Sequence, residues 1–284
     1  MKNLRFLALA LSICFGILAQ SATAQTESDT TQYWRIITAD GNTYIGTIES
    51  RNSEQIVLRT EDIGVITIQV RNVKSLEEIN PQRLVEGELW AENPQSTRYF
   101  FGPNGYGLRR GEGYYQNVWV LFNQASIGIT DHISIGAGLM PLFLFEGTAT
   151  PVWITPKVSI PVKKDVFNVG AGVLAGTIIG EDVGGFGVAY GVATLGSRDK
   201  HVTLGLGYGF ADGAWASRPA VTVSGMLRIG EKGYLLTENY IVDDTVIMTL
   251  GGRTVWSSVS LDYGVLLPFA GDGFIGIPWL GVAV

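Results

Sequence analysis

Between Thr97 and Val284 the chain is a string of short segments in which apolar and small or polar residues alternate. In Val152–Val162, Val152, Ile154, Val158, Ile160 and Val162 fall on one parity together with Pro156. Trp153, Thr155, Lys157, Ser159 and Pro161 fall on the other. Successive side chains of a strand point to opposite faces, so this pattern gives one greasy face and one mostly polar face. Ile133, Ile135, Ala137 and Leu139 repeat it against Ser134, Gly136 and Gly138. Val202, Leu204, Leu206, Tyr208 and Phe210 repeat it against Thr203, Gly205, Gly207 and Gly209.

The second face restricts the fold further. The inner face of a soluble sandwich is large and apolar, and its outer face is richly charged. Here the second face is glycine, serine and threonine with sparse charges, as in the lumen of a barrel whose apolar face meets lipid. Charged residues make up only 16% of the chain and glycines number 37, departures from ordinary globular composition in the direction of membrane β-structure. No stretch beyond the N-terminus approaches the roughly 20 apolar residues of a membrane helix. A membrane location therefore requires a closed barrel, because lipid cannot satisfy an open sheet edge.

The breaks between segments alternate in length. Tight charged turns are expected at Asp131-His132, Lys163–Asp165, Arg198–Lys200 and Glu231–Gly233, with looser breaks at 146–150, 180–184 and 211–216 between them. Further breaks are expected at Asp243-Asp244, Gly251-Gly252 and 270–273. Short turns on the periplasmic side and longer loops outside are the habit of outer-membrane barrels. Counting from Tyr114 gives about 11 strands, and Thr97–Leu108, despite Pro103, supplies one more. The expected fold is all-β: a small β-domain followed by an up-and-down antiparallel barrel of roughly 12 strands. Both barrel ends then fall on the short-turn side, which puts a preceding domain in the periplasm. Aromatic residues near segment ends, among them Trp153, Trp215, Trp256 and Trp279, are expected either to include anchors at the membrane interfaces or to be ordinary strand aromatics.

Residues 1–24 read as a secretory signal peptide: Lys2 and Arg5 begin it, Leu7–Leu18 is apolar, and Ala22-Thr23-Ala24 fits a cleavage site. Cleavage removes Cys14, the single cysteine, and with it disulfide and thiolate chemistry. Without Lys2 and Arg5, 18 of the 20 basic residues remain against 26 acidic ones. An acidic exported chain does not suit nucleic-acid binding. Residues 25–32 are polar and expected to be disordered. Residues 33–79 carry five short strand patterns. Residues 80–96 read as a linker with a short helix around Gln82–Leu89, and 97–284 as the barrel domain.

Two resemblances add to this reading. Thr38-Ala39-Asp40-Gly41-Asn42-Thr43-Tyr44-Ile45-Gly46-Thr47-Ile48 resembles the strand-turn-strand opening of Sm-like and SH3-like small barrels. That implies an SH3-like accessory domain that meets a periplasmic protein. Arg98-Tyr99-Phe100-Phe101-Gly102-Pro103, Leu108–Asn117, Gly128–Gly136 and Thr155-Pro156-Lys157 together resemble uncharacterised β-barrel envelope proteins of Gram-negative bacteria. That resemblance implies location and architecture but no activity. The chain departs from the usual aromatic end of outer-membrane barrels by closing on Val284.

The chemistry-bearing residues are few. His132 and His201 are the two histidines, each expected at a solvated turn, so no histidine or cysteine metal cluster and no cofactor is expected. His201 with Asp199 and a serine is the most that could be assembled for lipid hydrolysis, and no Gly-x-Ser-x-Gly elbow accompanies it. Gly205-Leu206-Gly207-Tyr208-Gly209 continues the alternation and is lumen lining, not a phosphate loop. Lys157, Arg228, Glu238, Arg253 and Asp262 lie on the polar parity and are expected to line the lumen, either as paired charges or as a selective path for a small solute. The expected function is a non-enzymatic outer-membrane barrel, structural or pore-like, in contact with outer-membrane lipid. The alternative is a secreted or periplasmic β-protein that binds a partner or an apolar ligand.

Overall fold

A computed structural model of the protein describes residues 32–79, 83–85, 88–141, 149–256, 258–270 and 273–284. The expected signal peptide and nearly all of the polar stretch behind it lie outside them. The chain forms two compact units, residues 1–92 and 93–284.

The first unit is a five-stranded antiparallel sheet of order β4-β3-β2-β1-β5. Its strands are β1 (Tyr33–Thr38), β2 (Thr43–Arg51), β3 (Gln55–Thr60), β4 (Gly64–Gln69) and β5 (Val73–Ile79). Asp40-Gly41 makes the first turn, with Gly41 at φ +90, a conformation in which glycine has no Cβ clash. Ile36, Ile56, Leu58 and Ile68 form the core. In place of the expected helix over 82–89 the chain makes a small hairpin of β6 (Leu84–Val85) and β7 (Glu88–Leu89).

The second unit is a closed antiparallel barrel of twelve staves. They are β8 (Gly113–Val118), β9 (Phe122–Gly128), β10 (Ile133–Leu139), β11 (Thr150–Ile154) continued by β12 (Lys157–Lys163), β13 (Phe167–Ile179), β14 (Phe186–Gly196), β15 (Lys200–Ala211), β17 (Ala220–Arg228), β18 (Gly233–Val242), β19 (Thr245–Trp256), β20 (Val259–Ala270) and β22 (Ile277–Ala283). Two-residue strands β16 (Ala214–Trp215) and β21 (Gly273–Phe274) pair beside β15 and β20. β11 and β12 act as one stave because the ladder continues across the break through reciprocal Gly136–Thr155 backbone hydrogen bonds. The barrel closes where β22 pairs with β8, and Tyr115 and Val284 exchange both backbone hydrogen bonds there.

The twelfth stave is not Thr97–Leu108. It comes from a hairpin that splits Tyr114–Thr130 at Trp119-Val120. Both residues hold positive φ, +51 and +65, and Leu121 N–H donates to the Val118 carbonyl. This is the twist-matched hairpin turn that Asn-Gly ordinarily supplies. The expected break at Gly251-Gly252 is instead the interior of β19. A Cβ at Gly251 would lie 2.0 Å from the Tyr263 carbonyl oxygen, so glycine lets β19 and β20 approach closely. The turn itself follows Trp256.

Outward and inward faces follow the alternation. Leu204 is 57% exposed while its neighbour Thr203 is 1% exposed. Ile127, Ile135, Ile160, Leu195, Leu235, Leu250, Tyr263 and Leu280 carry the same exposed apolar face around the barrel. Of the candidate interfacial anchors, Trp215 and Trp256 are exposed, but Trp153 and Trp279 are buried and face inward. Trp153 packs against Gly138, whose missing side chain makes room for the ring.

Candidate functional site: a plugged lumen

The lumen is filled by the stretch that sequence alternation took for linker and strand. Residues 93–110 enter at the short-turn end, rise, turn back and leave beside β8. Arg98 and Pro103 form an isolated antiparallel bridge, and Tyr99 N–H donates to the Gly102 carbonyl at 2.9 Å, so Phe100 and Phe101 form the tip. Gln95, Ser96, Arg98, Tyr99, Phe100, Asn104 and Tyr106 are buried. A segment with so few neighbours of its own satisfies its backbone groups on the barrel wall.

The inward side chains supply those partners. Glu238 accepts from the backbone N–H groups of Phe101 and Gly102, each at 3.0 Å, and from the Tyr240 hydroxyl. Arg253 binds Asp262 through both ends of its guanidinium, Nε at 2.5 Å and Nη2 at 2.9 Å. It also donates to the Gln95 and Tyr99 carbonyls. Arg98, from the plug, donates to the same carboxylate at 2.7 Å. Two buried guanidiniums thus share one buried carboxylate, an arrangement that repays its desolvation only through this dense hydrogen bonding. On the next wall the Tyr99 hydroxyl meets Thr203, the Gly105 N–H donates to Thr194, and the Tyr106 hydroxyl donates to the Gly196 carbonyl. Burial pushes both plug phenols above the ordinary tyrosine range, which keeps them neutral donors. Gly105 sits so close to β13 that a Cβ would lie 2.6 Å from the Asn168 carbonyl oxygen.

The five charges singled out by parity therefore divide. Glu238, Arg253 and Asp262 converge on the plug. Lys157 meets the plug from another wall, buried, and donates to its Tyr106 carbonyl at 2.5 Å. Arg228 belongs to the short-turn rim, where it binds Asp199 at 3.1 Å and the carbonyls of Gly230 and Glu231. Arg98, Gln95 and Asn104 are partners that parity did not reveal: Gln95 fell in the expected linker, and Arg98 and Asn104 in the expected strand 97–108, which the structure makes part of the plug.

His201 is not a solvated turn residue. It is 1% exposed and packs against Tyr99 and Tyr106, with Nδ1 on the Ser197 carbonyl and Nε2 on Asn104. Asp199 is occupied by Arg228 and Tyr234. The pairing a hydrolase would need is therefore not made: both nitrogens of the ring are engaged and the acid faces elsewhere. His132 lies at its turn, its Nδ1 3.2 Å from the Ser159 carbonyl oxygen.

Above the plug a cavity of about 370 Å³ remains. Arg98, Phe101, Tyr114, Lys157, Tyr190 and Tyr240 are among the residues that border it. Inward residues near the short-turn end, such as Thr194, His201, Ser260 and Ala283, are buried, whereas Val188 and Val242 toward the other end are 37% and 41% exposed. The lumen is thus a cup, shut below by the plug.

Fold and lumen together define a class: a closed twelve-stranded barrel with an apolar exterior, occluded by the segment that precedes its first strand. No family model and no curated protein matches the chain. Among solved structures, a KdgM porin aligns over 60% of this chain and 96% of its own length, with 9% identity and a TM-score of 0.45.

Proposed function

We propose that this protein is a non-enzymatic outer-membrane β-barrel of a Gram-negative envelope, pore-like in architecture and held shut by its own plug. The supporting observation is the inversion of polarity across the wall. The outward face of staves throughout the closed ring is exposed Ile, Leu and Val, while buried Arg, Asp, Glu, Ser and Thr lie inside. An exposed apolar surface of that extent needs a lipid or protein cover, and a closed ladder leaves no backbone group for lipid to satisfy. Residues 1–24 would direct export. The five-stranded sheet would serve as a periplasmic, SH3-like accessory domain, a reading supported by a strand order that returns β5 to the far side of β1. The locked His201 argues against lipid hydrolysis.

Cell fractionation with carbonate and detergent washes, paired with gel migration before and after boiling, tests the proposal. Recovery from outer membranes only with detergent, and a mobility shift on boiling, are expected. A soluble pool with no shift would sink the membrane reading and leave the apolar exterior to a protein partner.

A further inference from the structure

We infer that the cavity above the plug binds a small amphiphilic carboxylate, with its acid group on Lys157 and its body against Phe101, Tyr114, Tyr190 and Tyr240. The inference goes beyond the membrane reading and does not depend on any solute crossing the barrel.

The charge pattern of the lumen carries it. Arg98 and Arg253 share Asp262, Arg228 is matched to Asp199, and Glu238 to backbone donors of the plug. Lys157 is different. It is 8% exposed, and among the described residues the Tyr106 carbonyl is its one hydrogen-bond acceptor. No carboxylate of the described residues forms an ion pair with it. An ammonium carries three donors, so two remain for a ligand, and an anion arriving beside it would favour the charged form. Arg98, which also lines the cavity, has a buried Nη2 with no hydrogen-bond partner among the described residues. The guanidinium lies over the Tyr114 ring, 5.6 Å from its centroid.

The rest of the lining sets the ligand's form. Aromatic rings and aliphatic side chains dominate it, with neutral hydroxyls such as Ser134, Thr155 and Thr222 between them. The volume falls within the range of small-molecule pockets. The two free donors of the Lys157 ammonium match the two oxygens of a carboxylate. The ligand is therefore a carboxylic acid with an aromatic or compact aliphatic body.

The test uses the full chain folded in detergent. Binding of 2-naphthoate is compared with that of 2-naphthamide, its neutral isostere, by quenching of probe fluorescence. The amide also corrects for partition into micelles. Saturable binding of the acid, at least tenfold tighter than that of the amide, is expected. Lys157→Met should remove that preference and leave the amide unchanged, while Lys157→Arg keeps it. Equal affinity for acid and amide in the wild-type protein would overturn the inference without any variant. A second variant, Val188→Trp, fills the mouth of the cup and leaves the Lys157–Tyr106 contact alone; it should abolish binding of both probes. Unchanged binding in that variant would place the probes elsewhere and also overturn it.

Discussion

Asp262 is the residue on which the plug's electrostatics balance. Its carboxylate answers both Arg98 and Arg253. Loss of Arg253 would leave a matched Arg98–Asp262 pair, so Arg253→Met removes hydrogen bonds but strands no charge. It should cost about 1–3 kcal/mol. Asp262→Asn would leave two buried guanidiniums facing each other with no anion, and should cost about 3–5 kcal/mol. Urea unfolding of the detergent-folded barrel checks the order; an equal or reversed ranking would show that the three groups do not act as described. Residue-scale legibility was uneven. Parity identified the inward charges because the side-chain period of a strand is two. It could not say what they face, since their partners are plug carbonyls and N–H groups that carry no sequence signature.

At the scale of elements, β19 and the plug show why reading from sequence stopped where it did. Glycine marks both turns and close approaches, and Gly251-Gly252 read as the first while the strands use it as the second. The Trp119-Val120 turn had no signal at all: a β-branched residue at positive φ is a rare outlier, and it is held there by the hairpin on either side. The plug was hidden differently. Asn93-Pro94 and the Gly102, Gly105 and Gly107 series mark irregular backbone, and irregular backbone ordinarily belongs on the surface. Only the lumen's donors and acceptors make it viable inside. Its role as a closure is testable directly. Deletion of residues 93–110 should turn a quiet protein into a steady conductor in planar lipid bilayers. Equal conductance with and without the segment would refute occlusion by it.

At the scale of the whole molecule, the barrel is built almost entirely from neighbours in sequence: each stave from β9 to β20 pairs with the next full-length stave. The β8–β22 seam is the exception, since it joins the two ends of the ring. Local hairpins close fast, whereas the seam must pay the loop-closure entropy of the whole barrel. The plug is continuous with β8, yet its firmest anchors are Glu238, Arg253 and Asp262, on β18, β19 and β20. It therefore reaches from the first strand to the last few across the inside of the seam. A ring that sealed first would have to admit the plug afterwards through its short-turn mouth, and bury Arg98 against Asp262 in a lumen already closed. The expected order of assembly is that the plug settles on β18–β20 before β22 meets β8, and acts as a tether that draws the two ends of the ring together. Pulse-labelling hydrogen exchange during refolding should find Phe101 and Gly102 amides protected no later than those of β22. Protection of the seam ahead of the tip would mean that the barrel is stoppered only after it is made.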